Sequence, residues 1–121
     1  IRLPKLNLDA ASDINVEFDF AAMIQGDGTV DDVKLVVVVE GDGEFANGTK
    51  YSDPITQNQG KDELFWTHAK TTVKGATANT RLVIVMYRVL EGYETAAYTG
   101  NYKYNVSGAG RFFLDNIKIS K

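Results

Sequence analysis

The sequence predicts an all-β sandwich of about eight strands, on three observations. From Asp32 to Gly41 the chain reads DVKLVVVVEG, an apolar and mostly β-branched run, too short to span a membrane and poorly suited to a helix. Ile14 to Ile24 alternates Val16, Phe18 and Phe20 with Asn15, Glu17 and Asp19, and Leu82 to Leu90 reads LVIVMYRVL, again almost unbroken. No stretch offers an amphipathic helix to cover the resulting apolar sheet, so a second sheet must do it.

Each element follows from its residues. Ile1 to Leu8 reads as an edge strand, because Leu6 and Leu8 share a face and Pro4 lacks the N–H that an inner ladder needs. Asp9 to Asp13 is a polar turn into the alternating strand, whose even-numbered apolar residues face the core. Gln25 to Asp32 (QGDGTVDD) is a connection rich in turn residues; its aspartates lack the ligand spacing of a calcium loop, and its glycines precede a strand rather than a helix that would bind phosphate. The run from Val33 to Val39 is then a central strand covered on both faces.

Asp42 to Glu63 is a weakly patterned crossing between sheets, interrupted at Asn47-Gly48 and Asp53-Pro54. After Leu64-Phe65-Trp66, Thr67 to Lys74 forms another strand, Gly75 to Asn79 turns, and the second apolar strand follows. Glu91 to Asn105 is loop-like and aromatic, and Arg111 to Lys121 (RFFLDNIKISK) closes the fold with a bulge or twist if its apolar residues are all to be buried. The strands Val33 to Val39, Leu82 to Val89 and Phe113 to Ile119 are expected to form the core.

At 121 residues the chain is a single domain's worth of material. Thirteen basic against sixteen acidic residues give a net charge of −3 and a pI near 5.1, which supplies no general attraction to nucleic acid or to an anionic membrane. No apolar segment suits direct membrane insertion. The absence of cysteine excludes disulfides and thiolate metal sites. Ile1 to Ser12 has neither the basic start nor the apolar centre of a signal peptide, and the chain is read as the C-terminal part of a longer one.

Catalytic patterns are scarce. The one histidine, His68, has no second imidazole and no serine in a nucleophile-elbow context. A glycoside hydrolase needs only two suitably spaced carboxylates, so that reading stays open among sixteen acidic residues. The binding candidates are Trp66, which can fill the core, offer a flat ring to a sugar or meet a protein, and Tyr93, Tyr98 and Tyr102, which can bind or cap the sandwich. Arg88, Asn58, Gln59 and Asn101 are the polar companions able to satisfy hydroxyl groups.

Several segments carry a resemblance. FFLDNIKI (Phe112 to Ile119) resembles the closing strand of carbohydrate-binding jelly-roll modules of the galactose-binding-like superfamily, and TTVKGATANTRLVIVMYRV (Thr71 to Val89) resembles their penultimate core region. INVEFDFAAM resembles their early strand, and IRLPKLNL resembles the segment preceding it in secreted multidomain proteins of Bacteroidetes. The resemblance implies a galactose-binding-like jelly roll acting as a non-catalytic glycan-handling module, its partners a glycan or a neighbouring domain of the same chain, in a secreted, periplasmic or cell-surface protein. It implies no catalytic cofactor. Some such modules carry a structural calcium held partly by a closing-strand aspartate, a position that Asp115 matches, although the opening strand that supplies other ligands is short or missing here. The alternative is a structural or protein-interaction sandwich that binds no sugar.

Overall fold

The computed structural model describes residues 1–24, 34–56, 66–86 and 110–121. Within them the fold is all-β. Strand β1 spans Ser12–Ile24, β2 Leu35–Glu40, β3 Trp66–Ala76, β4 Arg81–Met86 and β5 Gly110–Ser120. They form two antiparallel sheets, one in the order β3-β1-β5 and one pairing β2 with β4. Of the expected all-β sandwich of about eight strands, the described residues show five strands in two small antiparallel sheets, without a closed barrel.

The alternation read from β1 is what joins the sheets. Ile14, Val16, Phe18 and Phe20 are fully buried and meet Leu35, Val37 and Val39 of β2, Leu82 and Ile84 of β4, and Ala69, Val73 and Ala76 of β3 in one core. Phe18 and Phe20 lie side by side with ring centroids 6.2 Å apart. β2 is buried on both faces, Val36 and Val38 included, as its unbroken apolar run requires.

Both edges of the smaller sheet are lined by short segments. Residues 1–3 run beside β4, where Ile84 N donates to Ile1 O at 2.8 Å and Leu3 N to Leu82 O at 2.9 Å. The expected edge element at Ile1 to Leu8 thus lies on a sheet edge, but as a single bridge, Arg2 to Val83, rather than a full strand. On the other side Ile55 exchanges two backbone bonds with Leu35, and Ser52 joins Val37 through both its N–H and its hydroxyl. The turn signal at Asn47-Gly48 is realised: Gly48 N donates to Phe45 O, and the Asn47 side chain accepts from Thr49 N.

The strands flanking β1 are both bulged. Opposite Asp13, β3 inserts an extra residue at Lys74-Gly75; opposite Phe18, β5 inserts one at Asn116-Ile117. Asn116 adopts φ +53°, a left-handed conformation that asparagine tolerates better than most side chains. A bulge or twist was expected as the means of burying all the apolar residues of this strand; a bulge is present, but Phe113, Ile117 and Ile119 are 51%, 39% and 37% exposed, while Leu114 packs against the core. The bulge shifts side-chain parity, so Phe113 lies on the outer face while Ile117 and Ile119 continue the inner face at the margin of the sheet.

Candidate functional site

Register and alternation place the outward side chains of the larger sheet in four cross-strand rows. Trp66, Ala21 and Phe113 form the first, His68, Asp19 and Asp115 the second, Lys70, Glu17 and Lys118 the third, and Thr72, Asn15 and Ser120 the fourth. Each row draws one residue from β3, β1 and β5, so the face is assembled from segments far apart in sequence.

The first row is aromatic. Trp66 is 56% exposed and Phe113 51%, while Ala21 between them is fully buried, a methyl group between two large side chains. Two inter-strand spacings separate the aromatic positions, roughly 10 Å. This exposure sets aside core filling for Trp66 and leaves a ring on the outer face of the sheet, open to a ligand or to a protein contact.

The second row is a hydrogen-bonded cluster. His68 Nδ1 lies 2.8 Å from Asp19 Oδ1 and His68 Nε2 lies 3.5 Å from Glu17 Oε1. Since an ionised carboxylate can only accept, Nδ1 donates. Asn116 completes the cluster from the bulge: its Nδ2 donates to Asp19 Oδ2 at 2.9 Å, and its backbone N donates to Asp115 Oδ1 at 2.8 Å. The left-handed turn at Asn116 thus serves to aim an amide at the face.

These bonds set the charges. The Asn116 amide and then the His68 ring hold the Asp19 carboxyl below its ordinary range, and the bonds to Asp19 and Glu17 raise the His68 imidazole above its own. A raised imidazole contributes stability fully below its unfolded value near 6.5, and loses that contribution as pH climbs through the folded value; a depressed carboxyl contributes above its unfolded value near 3.9, and loses it as pH falls. The pair therefore supports the fold most between those two values. We expect the urea midpoint of the native protein to fall between pH 5.5 and 8.5, with this dependence reduced by Asp19→Asn, which leaves Glu17 beside the ring. An unchanged slope in that variant would show that the His68 pair does not set it.

Comparison with protein-family models, curated proteins and solved structures gives no match. The chemistry of this face therefore rests on its own geometry.

Asp19 and Asp115 are cross-strand partners, a juxtaposition of two carboxyls among the described residues; Asp19, held below its ordinary range, is suited to a base or nucleophile and not to the acid that glycosidic cleavage also needs. A calcium ion takes six to eight oxygens, and no group of three metal-binding side chains occurs among the described residues; Asp115, the closing-strand aspartate, accepts the bond from Asn116 N at its Oδ1.

Of the residues singled out from sequence, Trp66 and Asp115 fall on this face. Asn58, Gln59, Arg88, Tyr93, Tyr98, Asn101 and Tyr102 lie outside the described residues. Sequence reasoning missed Phe113, placed in the core, and the cluster that Asp19, His68 and Asn116 form. One signal was available: Trp66 and His68, two positions apart on one strand, must share a side.

Proposed function

We propose that this domain binds carbohydrate without turning it over, through the outer face of the β3-β1-β5 sheet, as an accessory module of a secreted or cell-surface glycan-handling protein. The observation that carries the reading is the exposed aromatic row beside a polar row: Trp66 and Phe113 offer flat apolar surface to the hydrogen-bearing face of a sugar ring, while His68, Asp19 and Asn116 next to them offer donors and acceptors to its hydroxyls. A polar cluster held by its own hydrogen bonds is already ordered, which lowers the entropy lost on binding. Two antiparallel sheets over one core are compatible with a jelly-roll sandwich of the galactose-binding-like kind, and we extend the proposal to that fold.

The test is a broad glycan array with the isolated domain, followed by calorimetric titration of any hit. Trp66→Ala is expected to weaken binding by about tenfold or more, the loss of a stacked ring and its shielded area. Binding at native strength in that variant would remove Trp66 from the site, and no binding across the array would end the carbohydrate reading.

A second reading has an observation of its own. Ile1 is 57% exposed, and Ile117 and Ile119 are partly exposed at the margin of β5, so apolar surface is available for packing against another domain. On that reading Phe113 belongs to a protein interface and the array shows nothing.

A further inference from the structure

Resting on the carbohydrate reading, we infer that the ligand is an extended oligosaccharide that runs lengthwise along β3, from the aromatic row into a second subsite at the far end of the strand. The outward residues of β3 are Trp66, His68, Lys70 and Thr72, a line of roughly 20 Å at the strand's rise per residue. The line ends at an open groove of about 420 Å³ between β3 and the turn at residues 45–53, lined by Phe45, Asn47, Asp53, Lys70, Thr71 and Thr72 among others.

That groove carries the chemistry a sugar ring needs. Lys70 supplies an ammonium with three donors and is engaged in no ion pair or hydrogen bond with the described residues. Asp53 supplies a carboxylate whose side-chain contact, from Asn47 Nδ2 at 3.5 Å, is long and weak, so its lone pairs are available. A sugar hydroxyl both donates and accepts, and a groove with a cation and an anion on its walls suits adjacent hydroxyls of a neutral sugar better than it suits an acidic one. Asn47 is the built part of the wall: its amide donates to Tyr51 O at 3.0 Å and its carbonyl accepts from both Thr49 N and Thr49 Oγ1, which fixes the shape of the turn, while the two backbone bonds between Glu44 and Lys74 tie its start to β3.

The route across the sheet is less suitable. A ligand crossing from Trp66 to Phe113 meets two rings and a methyl group in its row, whereas one running along β3 passes His68 and Lys70 and reaches a groove.

The experiment is calorimetric titration of the intact chain with neutral β-linked gluco-, xylo- and manno-oligosaccharides, each from disaccharide to hexasaccharide. For the series that binds, native affinity is expected to rise with length by about tenfold or more, the worth of charge-assisted hydrogen bonds at a second subsite. Lys70→Met, which keeps the aliphatic stem, combined with Asp53→Ala is expected to abolish that rise and leave disaccharide binding intact. Both residues are exposed, so an unchanged thermal midpoint verifies folding. Trp66→Ala is expected to weaken every length. Disaccharide binding with a flat length profile, a rise that survives in the double variant, or no binding at any length overturns the lengthwise subsite; the carbohydrate reading falls with it only if the broad array is blank as well.

Discussion

Replacing Val37 with aspartate is expected to abolish cooperative folding. Val37 is fully buried on β2, faces Ile84 in the ladder and belongs to the core shared by both sheets. Its backbone is equally committed, with its N–H donated to Ser52 Oγ at 3.0 Å and its carbonyl accepting from Ser52 N at 2.9 Å, so the strand cannot rotate the new side chain out to water. Losing the buried valine costs about 1.5–3 kcal/mol, and placing an unpaired carboxylate there costs several more. Against a total stability on the order of 5–15 kcal/mol the domain has no margin. Urea unfolding followed by circular dichroism should show no sigmoidal transition, and a midpoint close to native would mean that β2 is not the centre of the core.

The second large effect is at Gly41, which closes β2 at φ +81°. A Cβ built there would clash with Asn79 O and lie 3.1 Å from Asn79 C, both backbone atoms. The opposing turn cannot retreat, because Thr80 Oγ1 donates to Asp42 O at 2.6 Å, Thr77 Oγ1 to Asp42 Oδ2 at 2.8 Å, and Asn79 N to Thr77 Oγ1 at 3.0 Å. Gly41→Ala combines the left-handed penalty with this clash and should cost roughly 3 kcal/mol or more. Gly48 is the control: its φ is +76° but nothing lies within 4 Å of a Cβ there, so Gly48→Ala should cost only about 1–2 kcal/mol. Equal losses in chemical denaturation would show that the contact with Asn79 contributes nothing.

These two sites also mark where the sequence was readable. The core of β2 was legible because its apolar run admits no solvent-facing side, and β1 because its period of two separates core from surface without reference to any neighbour. The outer face was not legible, because it is a matter of register. His68 and Asp19 are 49 positions apart, and Asn116 is 97 positions from Asp19; no local pattern brings them together. Phe113 was misplaced for a different reason. In an unbroken strand it would share a face with Ile117 and Ile119, and the extra residue at Asn116-Ile117 sends it to the opposite one. A bulge was foreseen from the crowding of apolar residues, but its position decides which of them reach solvent, and that follows from the pairing with β1.

The central claim is that ligand lies on Trp66, and the chain offers a direct reporter of it, since Trp66 is the one tryptophan in the sequence. Its emission should be that of a solvent-exposed indole and should be quenched readily by iodide. On titration with a glycan that the domain binds, the account predicts a shift of the emission to shorter wavelength and protection from iodide, both saturating with the calorimetric isotherm. An emission spectrum and a quenching constant that stay unchanged while the glycan saturates would contradict it.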